Sequence, residues 1–334
     1  MHWSWRGWVS DMFSFRGLLL ITIMTSVWFY GFTAICKQQY KDLGHPGPGQ
    51  VDLDSLRRRA TAGDAPTAYQ LGRCYMLGTG VSQDYAEAAK WYQKAASSGL
   101  SDAQFALGFL YEHGKGVKQE YKQAAFYYMA AAKQGHATAQ NNLASLYEHG
   151  QGVLHSLPQA AHWYQLAADQ GEVVAQCNLA TLYLRGRGVP QDASQAARWF
   201  RVAAQRGYAP AQANLGWMYY TGTGIAADYT EAGKWTRLAA EQGYAPAQTD
   251  LAYLYEQGKG VPLDYVNAYV WYRAASTAGD KRAEANLKEL THRMTPRQIS
   301  IATNRAEEIQ QRAWRPEQNG PSAGAAESAS VRQH

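Results

Sequence analysis

Six consecutive segments of this chain, residues 64–99, 100–135, 136–171, 172–207, 208–243 and 244–279, share one 36-residue register with no insertion or deletion. Each closes on a glycine. Each also carries a Gly-x-Gly pair at mid-length: Gly78/Gly80, Gly114/Gly116, Gly150/Gly152, Gly186/Gly188, Gly222/Gly224 and Gly258/Gly260. Self-similarity at such a period is the mark of an array in which every unit buries its apolar face on its neighbours. The repeat therefore decides the fold class before any local motif does.

Each repeat reads as two antiparallel helices. In residues 100–135, helix A is predicted over 102–113, with Ala103, Leu107, Leu110 and Tyr111 at the spacing of one buried face. Gly114 ends it, because the residue after a helix usually needs positive φ and glycine has no Cβ to clash. Gly116 turns the chain back. Helix B opens on a cap signature at Glu120–Gln123, repeated as Asp84–Glu87, Ser156–Gln159, Asp192–Gln195 and Asp228–Glu231, in which each side chain can satisfy the other's free N–H. Helix B then buries Ala124, Tyr127, Tyr128 and Ala131. Pro66, Pro210 and Pro246 fall in first turns of A helices, where a missing N–H costs nothing. The core leucines Leu71, Leu107, Leu143, Leu179, Leu215 and Leu251 are followed by Gly or Ala, which lets helices approach closely. Truncating one such leucine is expected to cost roughly 2–5 kcal/mol.

The pattern A-x-x-x-L-G/A-x-x-Y-x-x-G-x-G-V, then D-Y-x-x-A-x-x-W-Y-x-x-A-A-x-x-G, resembles the Sel-1-like repeat, and covers 216 of 334 residues. The pairs Ala103–Gln104, Ala139–Gln140, Ala175–Gln176, Ala211–Gln212 and Ala247–Gln248 fit it too. The 36-residue step separates it from the 34-residue tetratricopeptide repeat. Thr67–Ala68, Thr236 and Ser156–Leu157 depart from the pattern. The resemblance implies an all-α, right-handed αα-superhelix, a tetratricopeptide-like solenoid whose A helices line a concave groove. It implies a scaffold or adaptor that takes a protein or peptide partner in that groove. Some relatives are described as binding or hydrolysing β-lactams or acting near the cell wall, which keeps a cell-wall-linked role as the alternative.

The flanks read as accessories. Residues 1–16 mix tryptophans with Arg6 and Arg16, and residues 17–36 contain no charge, long enough for a helix to cross a bilayer core of ~30 Å. A cleaved signal peptide competes with this reading. Against it stand bulky Trp28, Phe29, Tyr30 and Phe32 where a cleavage site wants small residues. The expectation is a single-pass inner-membrane anchor with the repeats on the periplasmic side, although Lys37 and Lys41 nearly balance the positive charge before the span. A Pro/Gly linker follows within 37–53, then a capping helix over 54–63. Beyond the repeats, residues 280–312 read as a seventh A helix and a last helix opened by Thr295–Pro296, and 313–334 as a disordered tail.

Residues 64–279 hold 16 Lys+Arg and 16 Asp+Glu, so the chain's net charge of +5 comes from its flanks. A nucleic-acid groove needs clustered cations, and none is expected here. Cys74 and Cys177 occupy different columns and read as unpaired buried thiols. No Gly-x-Gly pair follows a strand, so none is a phosphate loop. Glu112–His113 and Glu148–His149 recur at equal phase and read either as a metal site or, more simply, as polar helix ends. No catalytic constellation, metal site or cofactor is predicted. Candidate partner-binding residues come from helix-A columns that vary while the framework stays fixed: Tyr69, Phe105 and Asn141; Arg73, Phe109, Ser145, Trp217 and Tyr253; Glu148 and Tyr220. Their aromatics suit interface anchors, or else pack between neighbouring helices.

Overall fold

The computed structural model describes residues 52–313, and among these it contains fifteen helices and no strand. The predicted anchor over 17–36 and the tail after 313 lie outside the described residues, as does nearly all of the linker. No helix among the described residues is long and apolar enough to cross a membrane. The chain divides into two compact units at residues 134 and 135. Unit 1 holds α1 (Leu53–Thr61), α2 (Ala65–Leu77), α3 (Tyr85–Ser97), α4 (Ser101–His113) and α5 (Tyr121–Lys133). Unit 2 holds α6 (Ala137–His149), α7 (Leu157–Asp169), α8 (Val173–Arg185), α9 (Ala193–Gln205), α10 (Ala209–Thr221), α11 (Tyr229–Glu241), α12 (Ala245–Gln257), α13 (Tyr265–Thr277), α14 (Lys281–Arg293) and α15 (Pro296–Ala313). Within each unit every A helix packs on its own B helix, and each B helix on the next A helix.

The two glycines of each mid-repeat turn do different work. The first caps helix A in the left-handed region, as at Gly114, φ 65°, whose N–H returns to the Leu110 carbonyl. The second marks a close approach. A Cβ on Gly188 would stand 2.3 Å from the Leu157 carbonyl oxygen, and one on Gly116 would meet the Tyr85 backbone at 2.2 Å. The turn of one repeat thus lies against the start of the preceding B helix with no room for a side chain.

The capping reading holds only in half. Asp84, Ser156, Asp192 and Asp228 accept from backbone N–H groups of the first B turn, while Glu120 makes no such bond. The expected return bond to the cap N–H is replaced by the helix-A tyrosine carbonyl, as in Asp84 N to Tyr75 O at 2.9 Å and Asp192 N to Tyr183 O at 2.9 Å. The hairpin itself already satisfies that donor. A reciprocal box does form at α15, where Gln298 N donates to Thr295 Oγ1 and Thr295 N donates to Gln298 Oε1.

A buried glutamine ties neighbouring hairpins together. Gln104, Gln176, Gln212 and Gln248 each donate from Nε2 to the last-turn carbonyl of the preceding B helix, 8 residues back. The other end of the amide accepts from a glutamine capping the B helix of its own repeat: Gln134 to Gln104, Gln170 to Gln140 and Gln242 to Gln212, at 2.7 to 2.8 Å. Where that cap is Arg206 or Ala278, the acceptor goes unpaired, and the Oε1 atoms of Gln176 and Gln248 are buried without a partner. Arg206 instead donates to the Gly171 carbonyl.

Both ends of the array are closed by polar caps. On α1, Asp52 caps the helix through Ser55 N, Arg57 donates to the Tyr75 hydroxyl at 2.7 Å and Arg59 pairs with Asp64 at 2.6 Å. At the other end α14 continues the A-helix phase, and α15 packs on α13 with Ala302 buried in the shared core.

Candidate functional site

The accessible side of the A helices lies about one residue away from the predicted face. Along α6, Thr138, Asn142, Ser145 and His149 are half-buried or exposed and lie at i, i+4, i+7 and i+11 of one stripe, with half-buried Glu148 beside it. The same stripe reads Val174, Asn178, Thr181 and Arg185 on α8, and Pro210, Asn214, Trp217 and Thr221 on α10. In unit 1 it reads Asp102, Ala106, Phe109 and His113 on α4, and Pro66, Gln70, Arg73 and Leu77 on α2.

Of the predicted residues, the column of Arg73, Phe109, Ser145, Trp217 and Tyr253 lies on this stripe, half-buried throughout. The column of Tyr69, Phe105 and Asn141 turns inward. Asn141, Cys177 and Thr249 are buried, and the Tyr69 and Phe105 rings lie 5.6 and 5.8 Å from those of Tyr92 and Tyr128 on the paired B helices.

The column of Glu148 also has an internal duty. The Tyr128, Tyr164 and Tyr272 hydroxyls donate to Glu112, Glu148 and Glu256, each 16 residues earlier. Where the carboxylate gives way to Leu184, the aromatic is Phe200, which has no hydroxyl to satisfy. Burial beside these carboxylates drives the Tyr164 phenol far above its ordinary pKa. Arg187 adds an ion pair to Glu148 at 3.3 Å. In these four repeats the column follows the paired aromatic, while Met76 opposite Tyr92 and Tyr220 opposite Thr236 do not fit that pairing.

Each unit carries its own aromatic cluster. In unit 1, Phe109 lies 4.2 Å from the His113 ring and under Lys115 Nζ at 5.4 Å, while Arg73 covers Tyr69 at 6.0 Å. In unit 2, Tyr220 meets Tyr253 edge-on at 6.3 Å and Tyr229 at 5.4 Å. Lys259 Nζ donates to the Tyr220 hydroxyl at 2.9 Å and lies over both the Tyr220 and Tyr229 rings. Burial and the bond to Tyr220 raise the Tyr253 phenol. Trp217 presents part of its ring while its Nε1 is buried without an acceptor.

Sequence reading missed the most regular feature of this stripe. Asn142, Asn178, Asn214 and Asp250 recur every 36 residues on α6, α8, α10 and α12. The signal was available as a constant polar residue between varying neighbours, but attention to variable columns passes over a constant one. At Asp250 burial pushes the carboxyl up to about 6, opposed by Arg282 at 3.6 Å.

No group of three His, Cys, Asp or Glu suited to a metal occurs among the described residues. His113 and His149 place Nδ1 at 3.0 and 2.8 Å from the Phe109 and Ser145 carbonyl oxygens. Cys177 is buried and its thiol is pushed up to about 12, and Cys74 is half-buried.

Stacked αα hairpins with a fixed interior and one accessible, varied helix face define a helical-hairpin repeat protein. The Sel1 repeat family model matches six consecutive segments, residues 65–100, 101–136, 137–172, 173–208, 209–244 and 245–280. A protective antigen with an SLR fold from uropathogenic Escherichia coli is 32% identical, over 81% of this chain and 67% of that one, with a TM-score of 0.58. A Sel1 repeat protein from Oxalobacter formigenes is 28% identical, over 75% of this chain and 95% of that one, with a TM-score of 0.61. A comparison with curated proteins gave no match. The chain belongs to the Sel1 repeat family.

Proposed function

We propose that this protein is a scaffold or adaptor, held at the inner membrane by residues 17–36 with its repeats on the periplasmic side, and that it binds a protein partner on the accessible face of its A helices. The observation that carries the reading is the contrast within each A helix. Core leucines, alanines and glutamines repeat from hairpin to hairpin, while the accessible position changes at every step, as Arg73 and Phe109 in unit 1 and as Ser145, Thr181, Trp217 and Tyr253 in unit 2. A framework needs no such variety; a surface matched to one partner does. Half-exposed aromatics such as Trp217 and Tyr253 are strong interface anchors. The family's general role in protein–protein interaction agrees with it.

The test is crosslinking from native membranes, followed by mass spectrometry, on the wild type and a Trp217→Ala/Tyr253→Ala variant with unchanged helicity. Partner yield is expected to fall at least tenfold in the variant. An unchanged yield would overturn the assignment of the face. Deleting residues 1–36 tests the anchor separately: the truncated chain is expected in the alkaline-soluble fraction and the full chain in the pellet.

A further inference from the structure

The outward stripe of the B helices differs between the two units. α1 packs on α2 as each B helix packs on the next A helix. With α1 included, the stripe of unit 1 reads Asp54 and Arg58 on α1, Lys90 and Lys94 on α3, and Lys122, Phe126 and Lys133 on α5. These positions share one helix face, spaced i, i+4, i+8 and i+11, and all but half-buried Lys94 are exposed. Five cations thus stand against Asp54. In unit 2 the same stripe carries Arg198 and Lys234 against Asp169 and Glu241, with Leu166, Val202 and Leu238 between them.

Cations in a last helical turn complement the helix dipole, but every B helix has that need. Last turns hold Arg58, Arg59, Lys94 and Lys133 in unit 1, and no basic residue on α7, α9, α11 or α13 in unit 2. Little of this charge is cancelled within the fold. Lys90 pairs with Glu87, and Arg59, beside the stripe, with Asp64. Lys94 donates to the Thr61 carbonyl, which holds the side chain and leaves its charge. Asp52, Asp84 and Glu120 stand at the opposite, N-terminal ends of the same helices. Beyond the C-terminal ends, exposed Asp102 is offset by Arg57, which donates to the Tyr75 phenol.

Phe126 departs from its own column. That position holds Lys90, His162, Arg198 and Lys234 on other B helices and a buried Val270 on α13. Phe126 is nevertheless 64% exposed, its ring edge-on to that of Tyr127 with centroids 5.1 Å apart. A ring bared to that extent adds little to the core.

Lysine and arginine around an exposed aromatic suit an anionic bilayer: the cations are drawn to the headgroups and the ring enters the interface. That attraction fades beyond a Debye length of ~8–10 Å, so it counts only for a face already held near lipid. Residues 37–52 alone separate the span proposed at 17–36 from α1, so the start of unit 1 cannot stand more than about 60 Å from that span. A tether of that reach gives a local concentration in the millimolar range, at which a few cations suffice.

We propose that α1, α3 and α5 turn this stripe onto the anionic lipid surface beside the anchor, with Arg58, Lys94, Lys122 and Lys133 at the headgroups and Phe126 between them. This rests on the reading of residues 17–36 as a membrane span and specifies which face of the repeats lies on the bilayer.

The full chain carrying Phe126→benzoylphenylalanine is reconstituted into vesicles of phosphatidylcholine, alone or with one phosphatidylglycerol in every three lipids, and irradiated. Lipid adducts at position 126 are expected to be at least fivefold more abundant with phosphatidylglycerol. They are expected to fall at least threefold when Lys122→Glu and Lys133→Glu are added with helicity unchanged. Leu238→benzoylphenylalanine is expected to give no lipid adduct. Equal yields in the two lipids, no adduct at 126, a yield unmoved by the charge reversals, or equal adducts at 238 overturns the lipid-facing stripe. Alkaline extraction of the same vesicles reads the anchor separately. A chain that stays in the pellet without adducts at 126 keeps the anchor and loses this inference. One that gives phosphatidylglycerol-dependent adducts and is then released by alkali keeps the lipid-facing stripe and loses the anchor.

Discussion

Two columns of side-chain amides run along the A helices and end differently. The glutamine column, from Gln104 to Gln248, is buried, and its amides donate to backbone carbonyls of the preceding hairpin. The asparagine column on α6, α8 and α10 is half-exposed, and Asn178 and Asn214 donate to unlike acceptors, Asn141 Oδ1 and the Pro210 carbonyl. Both are regular, so regularity alone does not separate structure from recognition. What separates them is where the hydrogen-bonding capacity goes. Buried amides are used up within the fold, because an unmade bond there costs the full desolvation of the group. Half-exposed amides can keep capacity for something else.

Substitutions can break or sharpen this contrast. The largest effect is expected at Gln212, whose amide donates to the Ala204 carbonyl and accepts from Gln242. Gln212→Ala strips both partners and is expected to cost about 2–3 kcal/mol by denaturant titration, against less than half of that for Gln248→Ala, which removes one bond and one orphaned oxygen.

Asp250 comes next, as the position where the asparagine column carries a carboxyl. Its folded pKa, pushed up to about 6, stands above the ordinary ~3.9. The folded state therefore binds more protons between those values, and stability falls as pH rises from about 4 to 6. Glu172, raised by burial, acts in the same direction. Asp250→Asn is expected to flatten that fall by about 1–2 kcal/mol, read from melting temperatures across the window.

A smaller gain is expected from Ala278→Gln. Ala278 has φ −78° and ψ 2°, almost the values of Gln242 at −79° and 2°, so a glutamine there can reach the orphaned Gln248 oxygen as Gln242 reaches Gln212. The change is expected to stabilise by about 1 kcal/mol, or roughly 2–4 °C in Tm by calorimetry. The smallest effect belongs to Asn178→Ala, within about 0.5 kcal/mol, because a half-exposed side chain with one internal bond adds little to the fold.

Much of the architecture was legible from the repeat. Glycine positions, hairpin spacing and the two end caps follow from a register that never slips, and among the described residues the helices predicted over 54–63, 102–113 and 280–312 lie within about two residues of their observed bounds. The glutamine tie was legible only at one end. Its Ala–Gln pair recurs in sequence, but the partner lies 30 residues on, at a cap position that also accepts Arg206 and Ala278. The accessible face was misplaced by about one residue for a related reason. Variation in the column of Glu112, Glu148, Leu184 and Glu256 looked like a surface matched to a partner, yet these four members pair with residue i+16, a hydroxyl at Tyr128, Tyr164 and Tyr272 and none at Phe200, while Met76 opposite Tyr92 and Tyr220 opposite Thr236 stand outside that pairing. Covariation inside a hairpin and selection by a partner leave the same trace in one column. Burial and hydrogen-bond partners tell them apart.

The most direct measurement places a photoreactive phenylalanine derivative at Trp217, on the accessible A-helix face, or at Leu238, which is 39% exposed on B helix α11. Irradiation of intact cells is predicted to give a discrete adduct from position 217 and none from 238. Adducts from 238 alone, or from neither position, would contradict the account.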